Sequence, residues 1–432
     1  MSIMRAVAGA LLLALTLSAC EGATEVAQAP SPSEAKPFPA LEAESVLSLG
    51  FQAIMEFSLS EIDTASFALE GAKGLGAIDP NLVARLDGQR FQLRLGEEIV
   101  FTDALPKSRD PRGWARLVIE GLLAARAKSA PLGEAQPETV YQAVFDAALA
   151  RFDLYSRYAT AQETRRLRAR RDGQGEDGAK LPPTVGLSVN EHTAFLRIVG
   201  FNRETASDLE ARLKEVQASL GRQWTGLVID LRGNPGGLLE QAVKSADLFL
   251  GAGRIVSARG RHPMASVNHE AGEGDLAPGI PIVVLVDGNS ASGAEILAAA
   301  LQDRGRAVVV GTVTYGKGLV QTVVELPNGG ELDISWSGLH APSGYALQGL
   351  GVLPNVCLGA GAKRGNEAVA TDFAQWRMVG TGNQAARQKL RTVCPPTVLG
   401  DEASIQALRL LSDRSLYAKA LAPTGTSLAL RP

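Results

Sequence analysis

In the first third of the chain, apolar side chains recur three and four positions apart. Residues 46–59, 67–75, 114–127 and 139–152 all carry this spacing, which predicts amphipathic helices that each bury one face. A short patch over residues 90–102 has β-like composition and interrupts them. From residue 185 the pattern changes. Apolar runs at 194–201, 225–231, 282–286 and 307–314 predict buried strands, and helical spacing follows at 206–220, 238–250 and 292–304. Two further strands, 320–325 and 331–336, flank Asn328-Gly329, a strong hairpin signal. Strands alternating with helices predict an α/β core. Residues 41–170 therefore read as a mainly helical N-terminal domain, and 171–184 as a polar, Gly- and Pro-bearing linker. Residues 185–360 read as the α/β core. Residues 361–432, which include a helical pattern at 404–412, read as a helical segment packed on that core.

Composition adds little to this division, but it excludes some functions. Hydrophobic residues make up 45% and charged residues 21%, as in an ordinary globular protein, and a net charge of −3 gives no electrostatic case for nucleic acid. The basic run Arg165, Arg166, Arg168, Arg170 and Arg171 reads as a solvated helix end rather than a lipid or partner patch. The N-terminus changes the picture more. Arg5 precedes an apolar run, residues 6–19, that is shorter than the roughly 20 residues needed to span a bilayer. The run ends in Leu17-Ser-Ala-Cys20, which resembles a bacterial lipobox. The expectation is a lipoprotein signal peptide over 1–19, lipidation of Cys20, and a flexible tether over 20–40 that leaves the protein anchored in the cell envelope and facing the periplasm, with the choice of inner or outer membrane open. Export would place the remaining two thiols, Cys357 and Cys394, in an oxidising compartment, where a structural disulfide between them is expected.

The candidate chemistry is concentrated in two segments. Ser292 lies in Asp287-Gly-Asn-Ser-Ala-Ser-Gly-Ala-Glu295, after a buried strand and at the start of a helix. There, backbone N–H groups and the helix dipole can stabilise an oxyanion. Ser290 in the same segment reads as a helix cap. Lys317, 25 residues later in Val313-Thr-Tyr-Gly-Lys-Gly-Leu-Val320, sits among glycines and apolar residues, where desolvation would disfavour its ammonium form. A neutral lysine can take the proton that makes a serine hydroxyl nucleophilic. The usual base is scarce: the four histidines, His192, His262, His269 and His340, stand in no nucleophile-and-base context. A third segment, Asp230-Leu-Arg-Gly-Asn-Pro-Gly-Gly237, is a glycine-rich turn whose backbone can approach a carbonyl closely. It lacks the Lys-Ser/Thr of a phosphate loop, and no metal-ligand spacing is present, so neither cofactor nor metal is expected.

Together these segments resemble the C-terminal processing peptidases, or tail-specific proteases, of family S41, closely over residues 196–356. Ser290-Ala-Ser-Gly-Ala-Glu295 is similar to the family's Ser-Ala-Ser-Ala-Ser-Glu-like box, and Tyr315-Gly-Lys-Gly318 to its Phe-Gly-Lys-Gly-like motif. The resemblance implies a crotonase/Clp-protease-like α/β core of the S41 type. It makes Ser292 the nucleophile, Lys317 the base and Gln321 the residue that positions the base. It places the oxyanion hole at the N–H groups of Gly236 or Gly237 with Gly293, and gives Asp303 a supporting, structural role. The segment Ala341–Val356 looks like the family's closing signature. One departure is large. Most members carry a PDZ domain between a Tyr-Ser-Arg-Tyr-like segment and the core, but here only 34 residues separate Tyr155-Ser-Arg-Tyr158 from Thr193, too few for such a domain. The N-terminal helices or a separate adaptor protein would then deliver substrate. The resulting expectation is a serine endopeptidase that acts on envelope proteins or peptides at or near their C-termini. A catalytically silent envelope scaffold is the alternative, and an acyl-CoA-type enzyme of related architecture is disfavoured by export.

Overall fold

The computed structural model describes residues 37–272, 274–358 and 384–421. The expected signal peptide, Cys20 and nearly all of the expected tether lie outside them. Everything that follows concerns the unit Pro39–Pro432.

The N-terminal half begins with α1 (Ala40–Phe57) and α2 (Thr64–Gly74), followed by a three-stranded antiparallel meander, β1 (Leu82–Asp87), β2 (Arg90–Leu95) and β3 (Glu98–Ala104). Then come α3 (Pro111–Arg126), the short α4 (Ala130–Glu134), α5 (Pro137–Phe152), β4 (Arg157–Ala159) and α6 (Ala161–Arg171). Caps set several of these boundaries. The Asp63 side chain accepts from Ser66 N ahead of α2, and Asp110 accepts from Gly113 N with Pro111 opening α3. The helices close on an aromatic cluster in which Phe51 meets Phe67 and Phe145 edge-on, with centroids 5.4 and 6.3 Å apart. Gly50 permits this approach, since a Cβ there would lie 2.4 Å from the Phe145 ring.

The core is a six-stranded sheet. Its strands are β5 (Val185–Asn190), β6 (Thr193–Ile198), β7 (Gly226–Asp230), β10 (Ile282–Val286), β11 (Ala307–Gly311) and β14 (Val356–Cys357), in spatial order β14-β11-β10-β7-β6-β5. All neighbours are parallel except β5 and β6. β7, β10 and β11 are buried at every position, which explains their unbroken apolar runs: each is covered on both faces. Leu227, Ile229, Val284 and Val309 face α7 (Thr205–Leu220), α8 (Leu239–Asp247) and α9 (Gly293–Asp303). Val228, Val283, Leu285 and Val310 face the C-terminal helices, α11 (Glu402–Ser412) and α12 (Arg414–Leu421). Between these and the sheet's last strand lies α10 (Gln384–Val393).

A second sheet runs in the order β12-β13-β8-β9, formed by β8 (Gly253–Gly260), β9 (Val267–Ala271), β12 (Leu319–Glu325) and β13 (Glu331–His340), and β4 pairs with β13. The N-terminal half is therefore hydrogen-bonded into the same sheet as the hairpin that follows Lys317. Leu59 N donates to Ser335 O, and the Arg261 guanidinium donates to the carbonyls of Met55, Glu56 and Ser58. Residues 172–184 make a strap from α6 to β5, with one bridge between Gln174 and Lys180.

The Tyr417 hydroxyl is buried at the start of β10. It accepts from Ile282 N at 2.9 Å and donates to Ile282 O at 3.0 Å. Tyr417→Phe strands both backbone groups away from water and should destabilise the protein by about 1–3 kcal/mol. The measurement is the urea midpoint at unchanged m-value; an unchanged midpoint would mean that α12 does not hold the strand in solution.

Candidate active site

At the C-terminal end of β10 the chain turns sharply through Asp287–Ala291 into α9, and Ser292 caps that helix with φ +53°. A side chain is strained in this region of backbone space, and such strain persists only where surrounding contacts fix it. The contacts are specific. Asp287 Oδ1 accepts from Gly233 N and Asn289 N, both at 3.0 Å. Ser290 does not cap the helix: its buried hydroxyl accepts from Asp287 N and donates to Leu231 O, both at 2.9 Å, and so ties the turn to the end of β7.

The glycine-rich turn after β7 lies against this one. Asp230 accepts from Arg197 and from the Arg232 guanidinium. Burial pushes its carboxyl up, but the hydrogen bonds and charge of Arg232 outweigh that and leave it below the usual range. The fully buried Asn234 is the knot of the turn. Its Nδ2 donates to Ile198 O at 2.8 Å, its carbonyl accepts from Ala291 N at 2.9 Å, and its Oδ1 accepts from Gly236 N at 2.8 Å. Of the glycines expected to supply oxyanion donors, Gly236 thus has its N–H committed to Asn234. What Gly236 provides is proximity: with φ +96°, a Cβ there would lie 2.7 Å from Ser292 Cβ and 2.8 Å from Gly293 N. At Gly237 a Cβ would lie 2.1 Å from Phe201 O.

Lys317 reaches the same place from another direction. It follows β11 in an extended loop, and Tyr315 N donates to Ser290 O at 3.0 Å. The Glu295 carboxylate, completely buried in the first turn of α9, spans the two segments. Its Oε2 accepts from Ser292 N at 2.7 Å and from Lys317 N at 2.9 Å. Its Oε1 accepts from Gly316 N at 2.7 Å and from the Thr314 hydroxyl. Burial pushes this carboxyl above its ordinary range, against the pull of those four hydrogen bonds. Sequence reasoning recorded Glu295 but gave it no role. An acid three residues after an N-cap signals a capping box, and nothing local shows that it also holds a loop some twenty residues ahead.

The remaining expected residues fall in different places. Ser292, Lys317, Gly236, Gly237 and Gln321 line one cavity of about 760 Å³, and none of the four histidines does. The Gln321 side-chain amide donates to Tyr155 O at 2.6 Å, so its observed bond joins β12 to the N-terminal half. Asp303 is at the far end of α9, where it accepts from Ser343 N at 2.9 Å and Ser343 Oγ at 2.6 Å and fixes the turn after β13. Cys357 and Cys394 form a disulfide with Cα atoms 6.1 Å apart. The strap contributes Leu181, Pro182 and Pro183 to the cavity wall, and α6 contributes Arg170 and Arg171.

If the backbone at Ser292 is strained, glycine should suit it better than alanine. Ser292→Gly is expected to be more stable than Ser292→Ala by about 1 kcal/mol in equilibrium unfolding. Equal stability would show that the turn relaxes once the hydroxyl is gone.

Residues 192–358 match the sequence profile described as Peptidase family S41. A carboxy-terminal-processing protease of Bartonella bacilliformis is 44% identical over 173 residues, 40% of this chain and 40% of that protein. A carboxyl-terminal-processing protease of Synechocystis is 38% identical over 165 residues, 38% of each. Among solved structures, the photosystem II D1 C-terminal processing protease aligns with 26% identity and a TM-score of 0.37, covering 49% of this chain and 55% of that one. The chain thus spans about two fifths of the length of these curated relatives.

Proposed function

From the peptidase family S41 domain that the chain carries at residues 192–358, we propose a serine endopeptidase with a Ser292–Lys317 dyad. The observation that carries this reading is the Glu295 bridge, which fixes the backbones of both residues to one carboxylate at the wall of one cavity. In the proposed cycle the Lys317 amine takes the Ser292 proton as Oγ attacks a peptide carbonyl. The N–H groups of Gly237 and Gly293 receive the oxyanion, since that of Gly236 is engaged by Asn234. Lys317 returns the proton to the leaving amine, and water activated by the same lysine then hydrolyses the acyl-enzyme. The substrates are bacterial envelope proteins, cut at or near their C-termini by an enzyme anchored through Cys20, facing the periplasm and served by an adaptor where one is needed.

The part of the cavity lining that comes from α6 and the strap supports recognition of a C-terminus within the cavity itself. Arg157 and Arg171 in the lining are neutralised by Asp333 and Glu331. Arg170, on the last turn of α6, has no acidic partner among the described residues and also lines the cavity. A guanidinium left unpaired beside Leu181, Pro182 and Pro183 suits a terminal carboxylate that follows apolar residues.

Two experiments test the reading. The first incubates soluble protein starting near Glu21 with casein and with an apolar-tailed peptide. Lys317→Ala should lower turnover by about 10²–10⁴-fold, and Ser292→Ala should abolish it. Activity surviving in both variants would sink the dyad, and none in the wild type would favour a binding role. The second compares a free-acid peptide with its C-terminal amide. Arg170→Gln should raise KM about tenfold for the acid, the loss of one ion pair, and leave the amide unchanged. An equal effect on both peptides would remove Arg170 from carboxylate recognition.

A further inference from the structure

Glu295 holds the lysine loop through the Gly316 and Lys317 amides and the Thr314 hydroxyl. The carbonyl side is held by a residue outside the S41 match. Arg391, on α10, donates from Nη1 to Thr314 O at 2.9 Å and to Leu350 O at 3.0 Å, and from Nη2 to Tyr315 O at 2.9 Å. Thr314 and Tyr315 immediately precede Gly316 and Lys317, whose amides bind Glu295. The four-residue loop is therefore gripped from both sides, with amides of Gly316 and Lys317 on a buried carboxyl group and carbonyls of Thr314 and Tyr315 on a guanidinium. The neighbouring backbone is shaped for this. Gly351 takes φ +65°, and a Cβ there would lie 2.7 Å from Thr314 Oγ1 and 3.1 Å from Arg391 Nη1.

What keeps Arg391 in place is equally specific. α10 is a ten-residue helix, too short to be stable alone, so its position depends on its anchors. One anchor is Arg387, stacked 3.4 Å over the Tyr345 ring. The other is Cys394, three residues beyond Arg391, bonded to Cys357 on β14 beside β11. Around the disulfide pack Val313, Leu353 and Leu390, and Val313 adjoins the lysine loop itself. Beyond the disulfide, Thr397 O accepts from Gly288 N and from Thr312 Oγ1, both at 2.9 Å. The disulfide thus lies at the junction between α10 and residues 395–401 that follow it.

We propose that Arg391 is a positioning residue for Lys317, and that the Cys357–Cys394 disulfide holds it in register, so that the oxidised protein turns over faster than the reduced one. This rests on the reading of Lys317 as the base. The redox step is thiol–disulfide exchange with a dithiol. The protein S–S bond breaks, each cysteine gains one electron and one proton, and the dithiol closes to its own disulfide. Re-formation consumes a disulfide oxidant in the reverse sense.

The test compares wild type, Arg391→Ala and Arg391→Lys, each oxidised and each reduced with dithiothreitol, with thiol titration to confirm the two states. Arg391→Ala should lower kcat about tenfold with KM within about twofold of wild type, because the loop's aim is altered and the substrate wall is not. Arg391→Lys should recover only part of the loss, since a point-like ammonium lacks the planar fork that spreads these bonds over two nitrogens. Reduction should lower wild-type kcat severalfold, have little effect in Arg391→Ala, and be reversed by oxidised glutathione. Unchanged kcat in oxidised Arg391→Ala would overturn the positioning role. Equal losses on reduction in wild type and Arg391→Ala would overturn the link between disulfide and arginine. A wild type inactive on every substrate would count against the protease reading instead. Hydrogen exchange of the Gly316 and Lys317 amides in a Ser292→Ala background then decides the structural part. Faster exchange on reduction and in Arg391→Ala supports it, and unchanged exchange refutes it.

Discussion

The arrangement depends on one buried carboxylate. Glu295 has no exposed surface, and its oxygens accept from three backbone amides and one hydroxyl. A carboxyl group so buried is tolerable only when its hydrogen-bonding capacity is filled, and emptying any one of these contacts would leave a costly group behind. That cost makes the contact set close to all-or-none. The amides of Ser292, Gly316 and Lys317 are held where they are because Glu295 has no water to turn to. The largely buried loop at 314–317 and the strained helix start thereby become one piece.

The parallel sheet explains why such a piece can be built here. β7, β10 and β11 lie side by side and end at one edge, so the turns that leave them converge. Asn234 crosses from the first turn to the second, Ser290 crosses back to Leu231, and Tyr315 N meets Ser290 O from the third. The glycines matter at the points of closest approach. Gly236 lets the first turn touch Ser292 and Gly293, and any side chain there would push the two turns apart. The positive φ of Ser292 is the geometric consequence of turning from strand into helix within that space.

How much of this was legible in the sequence follows from the range of the interactions. The buried strands 282–286, 226–230 and 307–311 were readable because burial on both faces leaves an unbroken apolar run. Ser292 and Lys317 were legible as candidates because each sits in an unusual local setting. By contrast, β8 and β9 were not anticipated. They carry arginines, a histidine and exposed positions, and they are strands because β13 lies beside them, not because of their own composition. β1 is similarly defined by its pairing with β2. The donor commitment of Gly236, the direction of Gln321 toward Tyr155 and the reach of Arg391 are all partnerships over distance, or with a side chain whose rotamer no spacing reveals.

Those distant partnerships also bear on how a peptide enters. In the resemblance the sequence suggests, a separate peptide-binding domain stands between Tyr158 and Thr193. In this chain that interval holds α6, a short strap and β5, and α6 with the strap forms part of the cavity wall. The N-terminal half is fixed to the same sheet as the loop that presents Lys317, through β4 on β13 and through Gln321 on Tyr155. The cavity lining on α6, Ser292 and Lys317 therefore share one hydrogen-bonded framework among the described residues. On the proposed reading, a peptide seated against Arg170 and the strap would be placed relative to Ser292 by the fold itself. Control of the proposed activity would then have to act on the framework. The lysine loop, held by Glu295 within the core and by Arg391 from the C-terminal helix, is the part of it with the fewest residues of its own to resist a change.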